Sequence, residues 1–158
     1  VARHAGAAEI VATDLADAPL AISRRIGADH TVNMRDTPDG LAPFTLEKGQ
    51  FDLAFEASGS GAALAGALAA VRPGGTVVQV GNGVGDTAVT LSTLLAKEIT
   101  LRGTFRFHAE FALAVRTLAS GRFDVSPLLT EVVPLADAVR AFELATDRGR
   151  AMKVQIAF

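Results

Sequence analysis

Cysteine is absent from this 158-residue chain, and its absence removes disulfides and thiolate metal sites together. No apolar run approaches the roughly 18 residues that a bilayer-spanning helix needs. The opening Val1-Ala2-Arg3-His4 lacks the character of a signal peptide. An excess of one charge sign is missing too: a formal net charge of −2 and a pI near 5.9 supply no basic field, so nucleic acid is not an expected partner. Neither an internal repeat nor a low-complexity linker interrupts the sequence. The expectation is a soluble, cytoplasmic chain with no membrane partner. Its length is enough for one domain with a real core, or for one and a fraction of a larger protein, and its 49% hydrophobic content, much of it alanine, is at the upper end for a soluble domain.

What is present is organised around Val71–Gly83. Pro73-Gly74-Gly75 is expected to close a helix, because proline cannot continue one and glycine accepts the backbone after its end. Thr76–Val80 then reads as a short β-branched strand covered on both faces. Gly81 and Gly83 fall at its carboxyl end. Open α/β sheets bind ligands there, and residues without side chains let a flat ring approach the backbone.

The rest alternates strand and helix. Val1–Gly6 reads as the tail of a helix, and Glu9–Thr13 as a strand ending on Asp14. Asp17 is placed to cap a helix with Ile22 and Ile26 on one face and Gly27 past its end. His30–Asn33 is a short strand, followed by a loop around Thr37–Pro43. Phe51–Glu56 is the next strand, and an alanine-rich helix follows Ser58-Gly59-Ser60-Gly61 with Leu64, Leu68 and Val71 buried. Thr87–Leu91 reads as extended, Ser92 as the cap of a helix through Lys97, and Ile99–Phe107 as extended again. Glu110–Ser120 is amphipathic through Phe111, Val115 and Leu118. Glu131–Val133 is a strand, Leu135, Val139 and Phe142 mark a helix, and Met152 to Phe158 alternates as a final strand. The pattern predicts an α/β protein with a doubly wound, parallel, Rossmann-like sheet.

Asp14 ends a strand in a βα context, where a dinucleotide fold places the acid that binds the adenosine ribose. A carboxylate there accepts two hydroxyls and repels a 2′-phosphate, which favours NAD over NADP. An ordinary turn or capping aspartate fits the position as well. The glycine fingerprint should open about 20 residues earlier. Only 13 residues precede Asp14, so the fingerprint and its strand would lie before Val1.

Five stretches carry a resemblance: Ala7–Leu15, Ile26–Asp29, Phe51–Gly59, Arg72–Gly81 and Leu101–Phe107. In this order and spacing the chain resembles the C-terminal half of the zinc-dependent medium-chain alcohol/polyol dehydrogenases, nearest the sorbitol dehydrogenase and L-idonate 5-dehydrogenase group. The resemblance implies that Asp14 holds the ribose and that Ser58 and Gly59 lie beside the cofactor. It places Gly81 and Asn82 along the nicotinamide, and Thr104, Phe105 and Arg106 at the carboxamide, with Arg106 towards the substrate. Lys153 falls near the pyrophosphate. A basic residue often follows the ribose acid five positions on in this family, and here that position is Pro19.

By the same resemblance, zinc is bound only through residues absent from this chain, so no catalytic and no metal-binding residue is assigned. His4, His30 and His108 belong to different elements and read as surface or helix-end histidines. Asp52 and Glu56 read as strand-end hydrogen-bonding groups. Residues 1–106 are expected to form a partial dinucleotide-binding domain, its sheet lacking the first strand, and residues 107–158 a segment that returns to a missing catalytic domain. The sequence is therefore expected to be a fragment, inactive alone, of an oxidoreductase acting on a polyol or sugar acid. A homo-oligomer is expected, with Thr87–Leu91 as a candidate edge strand. Two rivals stay open: an S-adenosylmethionine-dependent methyltransferase fragment, which should finish in an antiparallel hairpin, and a non-catalytic nucleotide-binding module.

Overall fold

The computed structural model describes residues 1–147 and 149–158, and these fall into two units. One comprises Val1–Gly40 and His108–Phe158, the other Leu41–Phe107.

In the first unit, strand β1 (Val11–Asp14), helix α1 (Asp17–Arg25) and strand β2 (His30–Asn33) form a parallel crossover, with Val11 opposite His30 and Asp14 opposite Asn33. Asp17 is not the cap that its position suggested. Ala16 occupies that place, and Asp17 Oδ1 instead accepts from Asn33 Nδ2 at 2.8 Å, tying the helix start to the end of β2. The helix is only nine residues long, so Ile26 lies past its end and is half-exposed, while Pro19 and Leu20 are buried. Val1–Gly6 forms isolated turns instead of a helix tail. Arg3 holds them down: its guanidinium donates to the carbonyls of Ala7, Ala8 and Gly27 and to the Asp29 carboxylate. That bond from Arg3, and the Ile10 N–H, hold the Asp29 carboxyl below its usual range.

The same unit contains helix α4 (Ala109–Ala119), strand β6 (Leu129–Pro134), helix α5 (Ala138–Thr146) and strand β7 (Lys153–Ala157). Strands β6 and β7 pair in parallel, and Val133, Ala141 and Leu144 form a small core with Val154 and Ile156. Val139 and Phe142, which marked helix α5 in the sequence, lie within it but are 75% and 70% exposed, and its buried residues are Ala141 and Leu144. A tight turn at Leu135–Asp137 precedes α5.

In the second unit, strands β3 (Phe51–Glu56), β4 (Val71–Gln79) and β5 (Thr100–Gly103) form a parallel sheet in that order, with helices α2 (Gly61–Ala70) and α3 (Leu91–Lys97) as crossovers. Leu64 and Leu68, four apart on α2, pack with Val71 and Val77 of β4 as the core. Pro73-Gly74-Gly75 does not close the helix. Ala70 ends α2, and the pairing jumps from Phe51–Val71 to Leu53–Thr76, so residues 72–75 bulge out of the ladder. Val80 is 47% exposed, so the cover expected on both faces stops before the strand exit.

Thr87–Leu91 carries no strand, which removes the candidate edge for a dimer. Thr90 precedes α3, Leu91 begins it, and Ser92 lies inside it and is not its cap. Ile99–Phe107 shortens to the four residues of β5. Lys97 is buried, and its Nζ donates to Leu68 O at 2.6 Å and Ala69 O at 3.0 Å. Those are orphan carbonyls of the α2 C-terminus, where the helix dipole favours a cation.

Every described ladder is parallel, as in the expected Rossmann-like α/β fold, and none joins β1 to β3. The antiparallel hairpin that the methyltransferase reading requires is not among them. No described helix is long and apolar enough to cross a membrane.

Candidate functional site

The exits of β3, β4 and β5 are laced together. Val80 N–H and Gly81 N–H both donate to Glu56 O, at 2.7 and 2.8 Å, and Thr104 N–H donates to Gln79 O at 3.0 Å. The Glu56 side chain, buried at the end of β3, accepts from Ser58 N–H at 2.7 Å, from Gly59 N–H at 3.0 Å and from the Ser58 hydroxyl. Gln79 Nε2 donates to the same carboxylate and to Gly81 O at 2.8 Å. Burial alone would raise the pKa of Glu56. The bonds from Ser58, Gly59 and Gln79 outweigh it and hold the carboxyl below its usual range.

Glycine at 59, 81 and 83 follows from how closely two loops approach. A Cβ on Gly81 would stand 2.1 Å from Gly59 N, one on Gly83 2.4 Å from Gly59 O, and one on Gly59 2.6 Å from Gly83 N. The side of Gly81 towards which a Cβ would point is thus filled by the neighbouring loop. The interlocked backbones border a cleft of about 310 Å³, lined by Gly59, Gln79, Gly81, Asn82, Thr87 and Leu101 among others. Gln79 Oε1 is a buried acceptor with no hydrogen-bond partner among the described residues. A second hollow, of about 510 Å³, lies away from the strand exits between Lys48 and Lys97.

Gly59, Gly81 and Asn82 therefore meet in one cleft, with Ser58 in the turn beside it and Thr104 bonded to its Gln79 wall. Phe105 and Arg106 follow Thr104, exposed, with the Arg106 guanidinium 4.8 Å from the Phe105 ring centroid. Asp14 and Lys153 lie in the other unit, at the end of β1 and the start of β7. Asp14 is exposed, and its Oδ1 accepts from Leu15 N–H at 2.7 Å and Ala16 N–H at 3.0 Å. Both bonds fall on Oδ1, and among the described residues none is made by Oδ2.

The histidines are where the sequence put them: His4 stacks edge-on against Phe123, His30 lies 3.2 Å from Glu9, and His108 starts α4. Among the described residues, no group of three His, Cys, Asp or Glu could hold a metal ion. Sequence reasoning missed Gln79 and Leu101 as cleft walls. A glutamine inside an otherwise apolar, β-branched strand was the available signal.

A sequence model of the family described as "Zinc-binding dehydrogenase" matches residues 1–120. The chain is 40% identical over 153 residues to L-idonate 5-dehydrogenase (NAD(P)(+)) of Escherichia coli, covering 97% of this chain and 44% of that protein. It is 33% identical to the sorbitol dehydrogenase of Gallus gallus, covering 99% of this chain and again 44% of the relative. The crystal structure of the Escherichia coli L-idonate 5-dehydrogenase superimposes with a TM-score of 0.89, over 97% of this chain and 44% of that one. The chain spans less than half the length of the relatives it matches.

Proposed function

Because this chain belongs to the zinc-binding dehydrogenase family, we propose that it is the dinucleotide-binding part of an oxidoreductase that moves a hydride between a polyol or sugar acid and NAD(P). The observation that carries this reading is the cleft at the exits of β3, β4 and β5, walled by glycine backbone and an unpartnered Gln79 acceptor. Ligands of open parallel sheets bind at that end.

In this reading the Gly59, Gly81 and Asn82 backbone orients the nicotinamide, which accepts or returns the hydride when bound. Ser58 lies beside the cofactor. Thr104 and Phe105 meet the carboxamide through main-chain atoms, and Arg106 borders the substrate. Asp14 accepts the adenosine ribose hydroxyls and favours NAD over NADP, and Lys153 neutralises pyrophosphate charge. Support for Asp14 comes from its exposure at the strand end and from an Oδ2 without a hydrogen bond among the described residues. No step through zinc is assigned here, because the described residues offer no set of ligands for it. Residues 1–106 serve the cofactor and residues 107–158 a catalytic domain. The protein is cytoplasmic and homo-oligomeric, with no interface assigned to this chain.

Fluorescence titration tests the reading on the protein that carries this sequence. Saturable NADH binding without S-adenosylmethionine binding supports it. Binding of S-adenosylmethionine alone, or of neither ligand, refutes it.

A further inference from the structure

The densest polar knot of the Leu41–Phe107 unit is centred on a residue to which the proposed site gives no role. Glu56 is 3% exposed, and a carboxylate is rarely so buried unless its oxygens are engaged. Oε1 accepts from Ser58 N–H, Ser58 Oγ and Gly59 N–H, while Oε2 accepts from Gly59 N–H and Gln79 Nε2. A strand-end hydrogen bond needs one donor; this carboxylate collects four donor groups from two separate segments.

Both segments wall the cleft, Gly59 and Ser60 on one side, Gln79, Gly81 and Asn82 on the other. The carboxylate is the side-chain bridge between them. It also fixes the Gln79 amide: Nε2 is held by two acceptors, the Glu56 carboxylate and Gly81 O, which leaves Oε1 as the unpartnered acceptor. Ionisation suits the task, since an anion takes donors on both oxygens without presenting a proton of its own.

We propose that Glu56 is a positioning residue: its carboxylate clasps the turn at 57–60 to the segment at 79–83 and so sets the shape of the cleft that receives the nicotinamide end. This rests on the reading of that cleft as the nicotinamide site. A glutamine at 56 would turn an NH2 group against the donors of Ser58, Gly59 or Gln79, spoiling the clasp while keeping the volume.

The test compares two probes, NADH and ADP-ribose, which lacks the nicotinamide, on the protein carrying this sequence, well below its melting temperature. Glu56→Gln is expected to weaken NADH about tenfold and ADP-ribose by less than about twofold, the loss of one or two charge-assisted bonds at one end of the ligand. Unchanged NADH affinity, or equal weakening of both probes as a purely structural role would give, overturns the proposal. Should Glu56→Gln fail to fold, Gln79→Met removes one arm of the clasp, and NADH is then expected to weaken about threefold relative to ADP-ribose. An unchanged ratio overturns the proposal there too. Wild-type protein that binds ADP-ribose but not NADH overturns the site reading itself, and the clasp's role with it.

Discussion

Gly81→Ala tests a glycine required by packing, since its φ is not in the left-handed region. The added methyl would stand 2.1 Å from Gly59 N, 2.7 Å from Glu56 Oε2 and 2.8 Å from Ala57 C. Two of these three neighbours are backbone, and the third is a carboxylate held by several donors, so none can yield cheaply. Overpacking of this kind costs about 1–3 kcal/mol when side chains give way, and the rigid neighbours here put the expectation at about 3 kcal/mol. For a chain of this size that corresponds to a melting-temperature drop of about 6–12 °C. Gly103 is the control. A Cβ there meets nothing within 4 Å, and its φ lies outside the left-handed region. Gly103→Ala should therefore be neutral, or stabilising by up to about 1 kcal/mol through the unfolded chain. Thermal unfolding of both variants, followed by circular dichroism, measures the difference. A Gly81→Ala protein as stable as Gly103→Ala would refute the interlocked-loop account of the strand exits.

Asp14→Asn should weaken NADH about tenfold, and narrow its advantage over NADPH, in a fluorescence titration. Its melting temperature should move little, because the amide oxygen can still accept from Leu15 and Ala16 N–H. Lys97 has its pKa lowered by burial, so in the alkaline range below the ordinary 10.5 the unfolded chain binds a proton that the folded chain has released. Stability should rise with pH across that window, and Lys97→Met should flatten the rise in denaturant titrations at several pH values.

The strands most legible in the sequence were β2 and β3, short β-branched or aromatic runs whose boundaries are set by flanking turn residues. Pro73-Gly74-Gly75 misled because the same residues that stop a helix also make a bulge, and only the shifted pairing with Phe51 and Leu53 distinguishes the two. Thr87–Leu91 had β-branched content but no neighbouring strand to bond, and propensity without a ladder leaves no strand. Leu135 marked the same helix as Val139 and Phe142 in the sequence, but it lies in the short turn at Leu135–Asp137 that precedes α5. At the site, Gly59, Gly81 and Asn82 were readable as strand-end punctuation. The Glu56–Gln79 contact was not, since it joins residues 23 apart in the chain and depends on the parallel register of β3 and β4.

The two units differ in how early they can be completed during synthesis. Leu41–Phe107 is unbroken, so all three of its strands have been synthesised when translation passes Phe107. The first unit already has β1 and β2 by then but awaits everything from His108 onward. A ribosome stalled far enough past Phe107 for that residue to clear the exit tunnel would therefore carry one unit with all its strands available and a second still waiting for its C-terminal portion.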